Sequence, residues 1–157
     1  MGYPNTNNIK SIIYKDLILI FIMGSIYMVL EGLWRGWTHI SMLVVGGIAA
    51  FLIGRLNEHP KFYDKKMCQE CLIGTVIILI LEFISGMVLN VWLKLHIWDY
   101  SNTWGNLYGQ ICIPYAVIWF LLVPSNVFVD DYLRYMLFEE KRPQGLLKNY
   151  IDLFIGR

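Results

Sequence analysis

CLIGTVIILILEFISGMVLNVWL, residues 71 to 93, holds 23 residues with one charged side chain, Glu82, near its middle. A helix needs roughly 20 mostly apolar residues to cross about 30 Å of hydrocarbon, so this run reads as a membrane span. Three more runs read the same way: Leu17 to Trp34, Ile40 to Leu56 and Ile111 to Val129, the second being the shortest. The expected fold is an all-α integral membrane protein with four transmembrane helices. Glu82 then needs an explanation, because an ionisable group at that depth costs on the order of 3 kcal/mol and normally faces a bundle interior.

Composition agrees with this class. Of 157 residues, 57% are hydrophobic and 16% charged, against about 25% charged in soluble domains. The apolar residues fall into separate runs behind a polar lead, MGYPNTNNIK, so a cleaved signal peptide is not expected. Met1-Gly2 with Thr6 fits the loose myristoylation pattern, but a chain that already spans the bilayer gains little from a lipid anchor. The net charge is +1 and the basic residues form no stripe, which argues against nucleic acid as a partner. Three cysteines make no disulfide framework, and Cys68 and Cys71 in CQEC lack the second half of a zinc motif. Neither a metal nor a cofactor is expected.

The basic residues set the direction. Lys10 and Lys15 precede the first run, Arg55, Lys61, Lys65 and Lys66 lie between the second and third, and Arg134, Lys141, Arg142, Lys148 and Arg157 follow the fourth. Only Arg35 and Lys94 belong to the other side, so the positive-inside rule puts both termini in the cytoplasm of a multi-pass plasma-membrane protein. The expected organisation is a four-helix transmembrane domain over residues 1–129 and a cytoplasmic or interfacial tail over 130–157. In that tail amphipathic helix surrounds Leu133, Met136 and Leu137, breaks at RPQG and resumes in LLKNYIDLFIGR. Gly46, Ala50 and Gly54 form a small-residue stripe on the second run, with Gly24, Gly32, Gly74, Ser85 and Gly86 on its neighbours as receivers. Pro114 and Pro124 mark kinks near the ends of the fourth.

Glu31, Arg35 and His39 stand four residues apart in LEGLWRGWTHISM. Residues at that spacing share a helix side, so the row reads as an inward face on which Arg35 pairs with Glu31, with His39 in the connection that follows. Glu82 has no evident cation on the second or fourth run. It either reaches Arg35, bonds Tyr, Ser or Asn groups, or holds a proton. The loop HIWDYSNTWGNLYGQ, His96 to Gln110, adds Trp98, Asp99 and Tyr100 and is expected to fold over the outward mouth, turning at Gly105 and Gly109. The candidate substrate- or ion-binding residues are therefore Glu31, Arg35, His39, Glu82, Trp98, Asp99 and Tyr100. Ordinary roles compete: a Glu–Arg pair locks a bundle, a histidine caps a helix, and Trp and Tyr near a mouth anchor the interface.

Three segments, EGLWRGWTHISMLVVGGIAAFLIGRLNE, LEFISGMVLN and WDYSNTWGNLYGQICIPYAVIWFLL, carry a resemblance from Glu31 to about Val123. In content and order they resemble the bacterial putative ABC-transporter type IV family, and they are similar to the animal transmembrane protein 229 family. The matching positions are Glu31, Glu82, Phe83, Trp98, Asp99, Tyr100 and Ser101. The resemblance implies a multi-span membrane protein whose family name points to transport and attaches no substrate or reaction. These residues contain no G-x-x-x-x-G-K-[ST] and fewer spans than a typical permease subunit, so a complete ABC transporter is not expected.

Three functions compete on these grounds. The first is transport or binding of a small solute or ion in an outward-facing polar cavity built around Glu31, Arg35, Glu82 and Asp99. Four spans enclose little, so this reading expects a homodimer or other homo-oligomer within the lipid bilayer. The second is an intramembrane enzyme acting on a lipid or lipid-linked substrate, with Glu82 or Asp99 as base, His39 as its partner and Arg35 holding a phosphate. It lacks a metal triad and a convincing Ser or Cys nucleophile, so no catalytic residue is assigned. The third is a structural or accessory subunit whose polar row fixes helix register.

Overall fold

The computed structural model describes residues 6–56 and 66–156. The Met1-Gly2 pattern and the basic residues Lys61, Lys65 and Arg157 lie outside the described residues. Among those described, the chain is helical, with no strand and one isolated bridge between Leu107 and Ile111. The helices are α1 (Thr6–Arg35), α2 (Ser41–Gly54), α3 (Met67–Gly86, prolonged by a π-helical segment, Met87–Trp92), α4 (Ile113–Phe138) and α5 (Leu146–Ile155).

Three stretches, Lys10–Arg35, Met67–Trp92 and Ile113–Phe138, are long and apolar enough to cross a membrane, at 26 residues each. At 1.5 Å per residue each reaches about 39 Å, more than the roughly 30 Å of hydrocarbon. With its 14 residues, α2 reaches only about 21 Å. It is the most enclosed helix, with Gly46, Gly47, Ala49, Ala50 and Ile53 all buried. The longer helices turn Phe21, Val29, Leu33, Val76, Ile84 and Val117 outward, an apolar surface suited to lipid.

Small residues set how closely these helices approach. A Cβ on Gly24 would overlap the Leu43 carbonyl, and one on Gly47 would overlap the carbonyl of Ile20, so α1 and α2 touch backbone to backbone. The expected Gly46, Ala50, Gly54 stripe is thereby split: Gly54 receives the Asp130 carboxylate of α4, while Gly46 receives the Tyr27 ring of α1 and its neighbour Gly47 the α1 backbone. One residue along a helix turns the side chain by about 100°, so the adjacent glycines meet α1 at different points, a side chain at Gly46 and a carbonyl at Gly47.

At the end of the bundle that carries Lys15 and Arg55, α4 continues unbroken through Pro124 to Phe138. Proline removes a backbone donor and weakens its turn. Here α5 supports that turn from outside: the Tyr150 hydroxyl donates to the Leu121 carbonyl at 2.9 Å, and Asn149 Nδ2 donates to the Pro124 carbonyl at 3.2 Å. Leu153 joins Ile53, Cys71, Val123 and Val127 in the core, while Leu147, Phe154 and Ile155 stay exposed. Nearby, Arg134 Nε meets Asp130 Oδ2 at 2.6 Å, with both side chains at most 5% exposed. Arg134 also reaches Glu140 at 3.8 Å, and Glu140 pairs with Lys15 at 3.2 Å, tying the end of α4 to α1.

Replacing Gly47 with valine forces the α1 and α2 backbones apart and lowers stability by about 1–3 kcal/mol, read as a lower thermal midpoint of the purified protein in detergent. Gly145→Ala is the control, since its Cβ would meet nothing within 4 Å. An unchanged midpoint for Gly47→Val contradicts the backbone contact.

Candidate functional site

Arg35 is the last residue of α1, one turn beyond Glu31. Its Nη1 donates to Glu31 Oε1 at 2.7 Å, and Thr38 Oγ1 donates to Glu31 Oε2 at 2.5 Å. The other guanidinium nitrogen donates to the Ile97 carbonyl, and the guanidinium lies 5.1 Å from the Trp37 ring centroid. Gly36, at φ +79°, supplies the left-handed turn that carries the chain from α1 toward Thr38. Both oxygens of Glu31 and both ends of Arg35 are therefore engaged. His39 Nδ1 accepts from the Ser41 backbone N–H at 3.2 Å and lies 2.8 Å from Ser41 Oγ, so it closes the first turn of α2.

The connection between α3 and α4 is held by two buried amides. Asn90, in the π-helical segment, donates through Nδ2 to Gln110 Oε1 at 2.9 Å and accepts from the Ile97 N–H at 2.7 Å. The Trp98 indole donates to the Gln110 carbonyl at 3.0 Å, which buries Ile97 and Trp98 against Met42. Gln110 fits because it packs on Gly86, where no side chain stands in its way. Asp99 points outward and accepts from the Ser101 hydroxyl at 2.5 Å and N–H at 2.8 Å. The hydroxyl first and then the N–H hold its carboxyl below the usual carboxylate range, so this turn is secured at neutral pH and loosens as pH falls. Tyr100 stacks on Tyr115 with centroids 4.7 Å apart, and burial pushes its hydroxyl well above the usual tyrosine range.

Glu82 lies apart from this lock. It is 5% exposed and accepts one side-chain hydrogen bond, from Trp119 Nε1 at 3.1 Å. Rings extend from that indole in both directions: Tyr27 is 6.1 Å away and Tyr115 6.4 Å, leading on to Tyr100. Beside Glu82 runs a cavity of about 170 Å³ between the four long elements, walled by Met23, Tyr27, Met42, Ile53, Trp119 and Val123 among others. Asn126, also on the wall, spends its amide on the Ala50 carbonyl at 3.0 Å. The lining residues Ile26 and Leu30 on α1 and Leu122 on α4 are exposed, so the cavity opens sideways between these helices.

Of the seven expected residues, the structure thus joins Glu31 and Arg35 to the backbone beside Trp98, ties His39 to Ser41 at the start of α2, and leaves Asp99 on the exposed loop. Glu82 alone of the seven lines the cavity among the described residues. The partner of Glu82 is neither Arg35 nor a Tyr, Ser or Asn group. It is Trp119, and the available signal was an indole in mid-span, whose N–H requires an acceptor when buried. Thr38 and Tyr27 went unread for a similar reason, since neither is charged.

Three membrane-length apolar helices, with carboxylates buried between them, define a multi-pass membrane protein. The chain belongs to the family described as putative ABC-transporter type IV, whose model matches residues 12–142, from within α1 past the end of α4. No curated protein and no solved structure matches it.

Arg35→Met leaves Glu31 buried without its cation and frees the Ile97 carbonyl. With the Arg35 side chain 23% exposed, the loss should be roughly 2–3 kcal/mol, below that of a fully buried pair. Amides between residues 95 and 112 should also exchange faster. The double replacement Glu31→Met with Arg35→Met should recover part of the stability, and a double variant worse than the single contradicts the pairing.

Proposed function

We propose that this chain is a membrane transport or binding protein for a small solute or ion, with Glu82 as the group that meets the ligand. One observation carries the reading: a carboxylate, almost wholly buried and bonded once, on the wall of an otherwise apolar cavity among four helices. Intramembrane carboxylates that face a cavity are recurrent elements of solute and proton pathways. The family description, which names a transporter, supports the same class.

In this reading α2 is a short fourth span, shielded by its neighbours, and the positive-inside rule sets both termini in the cytoplasm of a plasma-membrane protein. Residues 1–129 form the transmembrane domain and 130–157 the tail. The cavity opens toward the bilayer between α1 and α4 instead of facing outward through the loop, and the chain assembles as a homo-oligomer. Glu31 and Arg35 hold the loop of Trp98, Asp99 and Tyr100 over the outward end of the bundle, and His39 sets the start of α2. A second reading is favoured by the complete engagement of Glu31 and Arg35: that pair is a register lock, and ligand contact falls to Glu82 alone.

The test is a stability screen of purified protein against a broad panel of small solutes and ions, in the wild type and in Glu82→Gln. A ligand at 100 times its Kd adds about 2.7 kcal/mol, an easily read rise in thermal midpoint. At least one solute should stabilise the wild type and lose that effect in the variant. A panel without such a solute, or with equal shifts in both proteins, rejects the proposal.

A further inference from the structure

Resting on the Glu82 reading, we infer that the ligand is a single-chain amphipathic cation, an alkylamine or alkyl quaternary ammonium, which reaches Glu82 from the bilayer through the gap between α1 and α4. The cavity lining extends along α2 from Met42 to Ile53, about 16 Å at the helical rise. Glu82 and the rings of Tyr27 and Trp119 supply its polar and aromatic surface, and the side chains that carry other polar atoms, Ser125 and Asn126, are bonded elsewhere. A long apolar groove with one carboxylate matches a hydrocarbon chain with one positive group. A cavity of similar volume lined by apolar side chains stays dry and takes up hydrocarbon. A cationic headgroup would stabilise the ionised form of Glu82 by pairing with it, which an anionic headgroup would oppose and a neutral chain would not supply. The aromatic faces add to the choice, since ammonium groups, quaternary ones included, are attracted to Tyr and Trp rings.

The route follows from exposure. Ile26, Leu30 and Leu122 line the cavity and stand 39%, 60% and 45% exposed on the lipid-facing flank. At the two ends the paths are obstructed, by the loop anchored through Arg35, Asn90 and Gln110 on one side and by the Asp130–Arg134 pair and α5 on the other. A ligand that arrives sideways must be soluble in lipid, which a free inorganic ion is not, while an alkylammonium is.

The experiment uses the full chain in lipid nanodiscs and follows its thermal midpoint against octyltrimethylammonium, with octanol and octyl sulfonate as chains of equal length and different charge. The cation should give a saturable rise, weakened by about tenfold or more in Glu82→Gln, as expected when a buried charge pair loses one member. Leu122→Trp, a change on the exposed flank that keeps Glu82, should weaken binding several-fold by narrowing the gap; it also serves if Glu82→Gln fails to fold. Equal saturable shifts from octanol or octyl sulfonate would mark a plain hydrocarbon groove and overturn the inference, as would a cation response indifferent to both variants. If the cation has no effect while another solute gives a shift that depends on Glu82, the ligand class falls and the binding function stands; if no solute does, both fall.

Discussion

Hydrocarbon gives a buried polar group no substitute for water, so every such group in a membrane-embedded bundle must find its partner inside the protein. Most of this molecule's polar interior obeys that constraint to completion. Glu31 spends both oxygens, one on Arg35 and one on Thr38. Asn90 donates to Gln110 and accepts from the backbone of Ile97, and the carbonyls of Leu121 and Pro124 on the proline-weakened turn of α4 are met from α5. Set against these groups, Glu82 departs from it. With one indole N–H as its hydrogen bond and an apolar cavity at its side, it retains capacity that the other groups have used up.

The same packing that satisfies the interior also creates the space. Gly24 and Gly47 bring α1 against α2 at backbone distance, while α1 touches α4 only sparsely. The gap between α1 and α4 is the result, and it is floored by α2 and α3. The loop between α3 and α4 depends on side chains from three elements, Arg35 of α1, Asn90 of the π-helical segment and Gln110 beside α4. In the proposed function, structural and ligand-facing roles are divided between Glu31 and Glu82, two residues of one type within electrostatic reach of each other.

Much of this was legible in the chain. Long apolar runs announce α1, α3 and α4 because hydrocarbon thickness imposes a length, and the four-residue spacing of Glu31 and Arg35 announces their pair because helical geometry leaves little choice. The family resemblance rested on segments that lie within the matched region. What escaped were contacts between residues distant in sequence. The docking of Trp119 on Glu82, the reach of Arg35 to the Ile97 carbonyl, and the seating of Asp130 against Gly54 depend on how helices are rotated, which no local pattern encodes. The expected tail begins at residue 130 as an amphipathic helix, yet α4 runs unbroken through Asp130 and Arg134 and buries both. The small-residue face is legible at Gly46, but not that Gly47 beside it makes the backbone contact while Gly46 takes the Tyr27 side chain of the same helix, because periodicity identifies a small face without giving the depth of each approach.

The division between a spent carboxylate and an available one has a direct chemical assay. A hydrophobic carbodiimide partitions into the bilayer and reacts with carboxyl groups it can reach, and peptide mass spectrometry of the protein treated in membranes reads where the adduct forms. The structure predicts modification at Glu82, through the gap between α1 and α4, and little at Glu31, whose oxygens are both engaged. Modification of Glu31 with Glu82 left inert would contradict the assignment of the cavity to Glu82.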